Sequence, residues 1–216
     1  MKKLVPMLFA AALLVTACEK TPDTSNLDDD YLVYTNYDGD ADFAKFSTFF
    51  VPDSVLIIDN SSDKPKYLYG TPAADILIAN YVAGMEAAGY VRTMDKASAD
   101  LGLQISYVKD TYRFRYYNNY PWWYGYPWYW QFSYWGDWGG WYWPYDITYS
   151  YSTGSVLGEL VDLTQPASAS NNLRVVWSSY ISGLLNADGT LNTSEVKESI
   201  AQAFSQSPYL KSAAER

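Results

Sequence analysis

Few side chains in this chain could do chemistry, and absences bound them first. There is no histidine in 216 residues, which removes Ser-His-Asp and Cys-His pairs, an imidazole general base and the usual His/Cys zinc site. Ser194-Glu195-Val196-Lys197 has the Ser-x-x-Lys spacing of serine acylases, and so do Ser61 and Lys64, but the SDN and KTG companions are missing. Gly154-Ser155-Val156-Leu157-Gly158 sets its serine one place early for a nucleophile elbow and reads as a turn entering a strand. Glu159 and Asp162 are an odd number of residues apart on one strand, so they face opposite sides and cannot pair directly. A carboxylate pair for glycoside hydrolysis assembled from distant segments stays open, because its spacing is three-dimensional. Asp38-Gly39-Asp40-Ala41-Asp42 starts like a calcium loop, yet Phe43 and Phe49 stand where an EF-hand needs Gly and Glu. Neither a metal nor a cofactor is expected.

The remaining reactive side chain is Cys18, the sole cysteine. It follows Lys2, Lys3 and an uncharged stretch from Leu4 to Ala17, which reads as a secretory signal too short to span a bilayer as a helix. Val15-Thr16-Ala17-Cys18 resembles the lipobox of bacterial lipoproteins, in which signal peptidase II cuts after Ala17 and the new terminal Cys18 is acylated, for example with palmitate. Lipidation would account for an odd cysteine in an exported chain. Acyl chains gain about 0.8 kcal/mol per buried methylene, so two or three anchor a protein without a transmembrane helix. Residues 1–17 are then the signal peptide. With Glu19 after the cysteine, the resemblance to bacterial lipoproteins implies sorting to the outer membrane of a Gram-negative bacterium, and residues 18–30 read as an acidic tether reaching at most about 40 Å. Periplasmic and surface-facing orientations both remain open.

Loss of Lys2 and Lys3 takes the formal charge from −9 to −11. An acidic chain with scattered cations is not built for phosphate backbones, so no nucleic-acid partner is expected. The other anomaly is aromatic: of 39 aromatic residues, 22 fall between Tyr112 and Tyr151, with eight of the nine tryptophans. Pro121, Pro127, Pro144 and several glycines prevent one helix or strand there, and broken backbone rules out a membrane span. Three readings are open: rings packed on the domain, rings in the headgroup zone of a membrane, or a surface for an envelope glycan, peptidoglycan or protein. The candidate interface residues are Trp122, Trp123, Trp128, Trp130, Trp135, Trp138, Trp141 and Trp143.

The elements that must position these residues are readable in part. Asp42 to Val51 reads as a strand ended by Pro52. A helix runs from Pro72 to about Ala88, capped by Thr71 and stopped by Gly89, with Leu77, Ile78, Tyr81, Val82 and Met85 on its core face. Strands follow at Tyr90, at Leu101 to Val108, at Asp146 to Ser152, at Ser155 to Leu163 and at Leu173 to Ile181. Tyr107 to Arg115 and Asp146 to Ser152 read as the arms of a long hairpin, with a large loop between them at the domain's edge. A second helix, Thr193 to Ser205, is capped by Asn192 with Glu195 as its capping-box partner, and Pro208 closes it. The expected fold is α+β in two layers: a mostly antiparallel sheet, two amphipathic helices on one face, and the aromatic-rich insertion 112–151 between strands. One domain spans residues 31–211.

These segments are similar to a family of bacterial envelope lipoproteins called domain of unknown function 4136. The likeness covers NYDGDADFAKFSTFFV, PAADILIANYVAGMEAAGY, the aromatic and glycine-rich insertion, GSVLGELVDL and LRVVWSSYISG, in that order. Asp42-Phe43, Val161-Asp162 and Trp177 carry most of its specificity. Family members usually have a basic residue and Gly after that tryptophan, where this chain has Ser178 and Ser179. The resemblance implies a lipid-anchored envelope domain and brings no catalytic residues. The expected function is therefore a non-enzymatic outer-membrane lipoprotein with a binding or structural role. A glycan-binding module and a histidine-free hydrolase with two carboxyls of shifted pKa in a cleft are the alternatives.

Overall fold

The computed structural model describes residues 31–59, 66–109, 112–116, 141–145, 147–151, 153–164 and 173–215, of which 112–116 and 147–151 by backbone only. The leader, Cys18, the tether, Ser61, Lys64 and the six tryptophans from Trp122 to Trp138 lie outside them. In chain order the elements are β1 (Leu32–Tyr37), β2 (Thr48–Phe50), β3 (Ser54–Ile58), β4 (Lys66–Tyr69), α1 (Pro72–Ala87), β5 (Val91–Arg92), β6 (Leu101–Val108), β7 (Tyr112–Tyr116), β8 (Trp141–Tyr142), β9 (Ile147–Tyr151), β10 (Ser155–Asp162), β11 (Leu173–Ser182) and α2 (Thr193–Ser205). The fold is α+β.

β10 is the central strand, antiparallel to β6 on one side and to β11 on the other. β1 lines the outer edge of β11 from Trp177 to Ser182, and β8 runs parallel to that edge at Leu173 and Arg174. β2 and β3 share the far edge of β6, both parallel to it, and Pro52 stands in the break between them, where no ladder donor is needed. β5 lies parallel to β2, and β4 antiparallel to β3. The sheet is thus mostly antiparallel with a parallel flank. Beyond it, β7 pairs with β9 from Tyr112↔Tyr151 to Tyr116↔Ile147, which continues the β6/β10 hairpin past Val108↔Ser155. Those are the two arms expected on either side of the insertion.

The strand expected over Asp42 to Val51 is half right. Phe43–Lys45 is a 3₁₀ turn, and the strand is confined to Thr48–Phe50. Asp42 caps the turn by accepting from the Ala44 N–H, and Phe43 and Phe46, three apart, both bury. That spacing suits a turn of three residues rather than alternation. The start of β2 is pinned by Asp100, whose carboxylate accepts from the Ser47 and Thr48 N–H groups at 2.8 and 3.0 Å.

Both helices cover the same sheet face. Thr71 Oγ1 accepts from the Ala74 N–H at 3.2 Å and Pro72 opens α1, whose Leu77, Tyr81 and Met85 are fully buried. Gly89 follows at φ +87°, the left-handed conformation that stops a helix. In α2, Asn192 Oδ1 accepts from the Ser194 and Glu195 N–H groups while its Nδ2 donates to Glu195 Oε1 at 2.6 Å. Phe204 of α2 meets Tyr81 of α1 edge-on and lies against Trp177 of β11, with ring centres 6.2 and 5.4 Å apart. In β11, Val176 is an extra residue: Leu160 pairs with Trp177 and Val161 with Val175. This bulge turns both Val176 and Trp177 to the helix core while Val175 faces the other side.

Candidate functional site

The opposite sheet face carries a second core of Leu56, Ile58, Val108, Leu157, Val161, Leu173, Val175 and Tyr180, and Trp141 and Trp143 close over it. Strands buried on both faces should be apolar throughout. β10 breaks that rule at Glu159, which is 1% exposed. Its neighbour Gly158 faces the helices, where Tyr81 occupies the space a side chain would take. Glu159 itself points the other way, between Gln104 of β6 and Ser178 of β11, its partners across the ladder. Both neighbours are buried, as is Ser106.

The chain segment above this strip is Trp141–Tyr145. It starts as β8 on the edge of β11, and Tyr145 Oη donates to Ser178 Oγ at 3.2 Å. The Trp143 indole N–H faces the Glu159 carboxyl and favours its charged form. Desolvation dominates, and burial pushes the carboxyl from an ordinary 4.5 up to about 8. At neutral pH Glu159 is a neutral acid: it can give one hydrogen bond and carries no charge.

Trp141 and Trp143 are 1% and 0% exposed, so these two of the eight expected interface tryptophans are core residues with no face free for a ligand in this conformation. The end of the insertion is correspondingly not a loop at the domain's edge, because it returns to the sheet and seals it. Trp122, Trp123, Trp128, Trp130, Trp135 and Trp138 fall outside the described residues, as do Ala17 and Cys18. Ser178 and Ser179, where the family usually has a basic residue and Gly, serve opposite faces. Ser178 receives the Tyr145 hydroxyl, and Ser179 Oγ lies 2.8 Å from Tyr81 Oη and donates to the Gly158 carbonyl.

The other residues singled out in the sequence have structural partners. Ser194 and Lys197 sit exposed on the first turns of α2. Ser155 is buried and donates to Tyr180 Oη at 3.0 Å. Asp38 is buried in an ion pair with Arg174 and also accepts from the Asp40 N–H. Among the described residues no group of three or more His, Cys, Asp or Glu side chains is placed to hold a metal ion. A groove of about 340 Å³ beside the Asp38–Arg174 pair is lined by Asp40, Asp42, Lys45, Asp162, Thr164 and Arg174. Of the described carboxyls, Glu159 is raised, whereas Asp188, in an exposed turn, is lowered by hydrogen bonds from the hydroxyl and N–H of Thr190. Glu159 is thus a raised carboxyl flanked by an amide and a hydroxyl.

In the sequence Glu159 stands out only as half of a pair with Asp162. The signal for its burial was available: one acid inside Val156-Leu157-Gly158-Glu159-Leu160-Val161, a run apolar enough for a strand covered on both sides.

The family model described as domain of unknown function (DUF4136) matches residues 33–209. The crystal structure of a DUF4136 family protein from Bacteroides thetaiotaomicron is similar to the chain at 48% identity and a TM-score of 0.70, covering 85% of this chain and 99% of that one. A PelC dodecamer from Paraburkholderia phytofirmans matches at 13% identity over 84% of this chain and 98% of that one, with a TM-score of 0.39. A Xanthomonas campestris protein of family DUF330 matches at 12% identity over 82% and 87%, with a TM-score of 0.24. No curated protein matches the chain.

Proposed function

Since the chain belongs to the DUF4136 family, we propose that it is a lipid-anchored outer-membrane lipoprotein whose domain has a non-enzymatic binding or envelope-structural role. One observation carries the reading: the single cysteine, Cys18, directly follows a lysine-led apolar stretch and Ala17. No helix of the described residues is long and apolar enough to cross a membrane, so attachment falls to the acyl chains on Cys18. The acidic tether 18–30 leads straight into β1, the strand at which the described domain begins. Labelling cells with a palmitate analogue tests this. The protein should carry label and sediment with membranes, and Cys18→Ala should lose both. Label retained by Cys18→Ala, or absent from the wild type, overturns the anchor.

A second reading, binding of an envelope glycan, is favoured by how the aromatic stretch divides. Trp141 and Trp143 do the packing, which leaves Trp122, Trp123, Trp128, Trp130, Trp135 and Trp138 as the indoles for sugar stacking. Tryptophan emission should then shift on titration with peptidoglycan fragments or outer-membrane polysaccharide, and a flat response to both counts against it.

A further inference from the structure

The turn that carries the chain from β1 toward β2 passes beside β11 and closes one wall of the groove at the Asp38–Arg174 pair. Asp38 ties it there. Its N–H donates to the Val176 carbonyl at 3.0 Å, one carboxylate oxygen accepts from the Asp40 N–H, and the other pairs with Arg174. The opposite wall is made by Asp162, the last residue of β10, and Arg174, its register partner on β11. Val161 and Val175 face the aromatic cover, so Asp162 and Arg174 point to the helix side, as Val176 does. Two segments remote in sequence thus bring charges of both signs to a cavity of about 340 Å³, with Phe46 and Val176 as apolar lining.

The fold leaves much of this charge unused. A guanidinium has five donors; Asp38 fixes the one on Arg174, which meets no second acceptor among the described residues and keeps 27% of its side chain exposed. The exposed Lys45 ammonium makes no ion pair among the described residues. These two cations suit a carboxylate. On the acidic side, Asp40 is exposed, and its carboxylate accepts no hydrogen bond among the described residues. Asp42 and Asp162 accept locally, from the Ala44 N–H and from Thr164, and a carboxylate has lone pairs for more. Because Asp38 cancels Arg174, three carboxylates face one ammonium, and the lining is negative overall. Its carboxylates are not grouped to hold a metal ion. The fitting ligand is therefore an extended organic cation that also carries an anionic group. The volume lies at the small end of the roughly 300–1,000 Å³ typical of ligand pockets, the scale of an amino acid.

We propose that this groove binds a basic amino acid, free or as the last residue of a peptide, with its carboxylate at Arg174 and Lys45 and its side-chain cation among Asp40, Asp42 and Asp162. The site is separate from the aromatic insertion, so the glycan reading and this one can fail independently.

Calorimetric titration of the full chain tests it, at about 0.15 M salt so that diffuse surface attraction is screened. The probes are L-lysine, the peptide Gly-Gly-Lys, cadaverine, which lacks the carboxylate, and norleucine, which lacks the side-chain cation. Lysine or Gly-Gly-Lys should saturate the site, and the tighter of the two identifies the source. Cadaverine and norleucine should each bind at least about tenfold more weakly, the effect of losing one charge-assisted contact. Lys45→Gln should weaken the better ligand about tenfold and leave cadaverine unchanged, whereas Asp40→Asn should weaken it about tenfold and leave norleucine unchanged. Both positions are exposed, so neither change removes a core contact. No saturation by lysine or Gly-Gly-Lys up to about 10 mM, equal binding of norleucine or cadaverine, or an unchanged affinity in either variant would overturn the proposal.

Discussion

Replacing Gly158 with alanine tests how tightly the two faces of β10 are coupled. An added Cβ would stand 2.3 Å from Tyr81 Cε1, 2.6 Å from Cζ and 2.7 Å from Oη. Carbon atoms pack comfortably at roughly 3.5–4.0 Å, so the ring must retreat by more than about 1 Å. It cannot do so freely, because Tyr81 is fully buried, lies edge-on to Phe204 and shares a hydrogen bond with Ser179. Overpacking of this kind costs about 1–3 kcal/mol. A buried hydroxyl torn from its partner adds about 1–3 kcal/mol, and relief of glycine's backbone entropy returns about 0.5–1 kcal/mol. The net expectation for Gly158→Ala is a loss of about 1–5 kcal/mol. Urea unfolding followed by far-UV circular dichroism reads it as a midpoint lower by about 0.5–2.5 M, for a slope of roughly 2 kcal/mol/M. Tyr81→Leu withdraws the ring edge, so in that background Gly158→Ala should cost less than half as much, and the difference is the coupling energy. An unchanged midpoint, or the same loss in both backgrounds, would refute the assignment of Gly158 as the seat of the Tyr81 ring.

Arg174→Ala should lower stability by about 3 kcal/mol, because it strands the buried Asp38 carboxylate. Arg174→Ala with Asp38→Asn should recover part of that loss in thermal unfolding. Wild-type stability should also fall as pH rises. The favourable contribution of neutral Glu159 is complete below 4.5 and lost as pH climbs through about 8, because the unfolded chain releases that proton first. The full interval corresponds to about 5 kcal/mol at most. Urea midpoints at pH 5 and pH 8 should therefore differ for the wild type and much less for Glu159→Gln, which becomes the more stable protein at pH 8. Equal pH slopes in the two would contradict the burial assigned to Glu159.

The legible parts of this fold are those where local chemistry and tertiary packing agree. Thr71 with Pro72 and Gly89, and Asn192 with Glu195, bound their helices because capping is a short-range matter. β6 could be read from the alternation of Leu103, Ile105 and Tyr107. β1 was hidden by its own exposure: Leu32 and Tyr34 stand 59% and 47% open, so no buried stripe marks it. The parallel placement of β2 and β3 on β6 depends on chain reversal through α1, which no window of a few residues contains. At the candidate site, composition pointed to the aromatic insertion but could not distinguish tryptophans that seal a core from others. Trp141 and Trp143 are set apart by where the chain re-enters the sheet, a property of the β6–β11 framework and not of their neighbours in sequence.

The extra residue at Val176 gives β11 two reading frames. Before it, residues 173 and 175 face the aromatic cover; after it, residues 178 and 180 do, so the parity of the strand changes partway along. In an alignment of relatives, a one-residue gap placed here would be a local smoothing of the strand, since loss of Val176 restores plain alternation and leaves Trp177 with the helices and Ser178 beneath Tyr145. The same gap placed a few residues later, among Ser178 to Ile181, would exchange the two faces for the remainder of the strand and turn Ile181 out of the helix core. Position, and not length, therefore decides whether a deletion in this strand is silent or destructive.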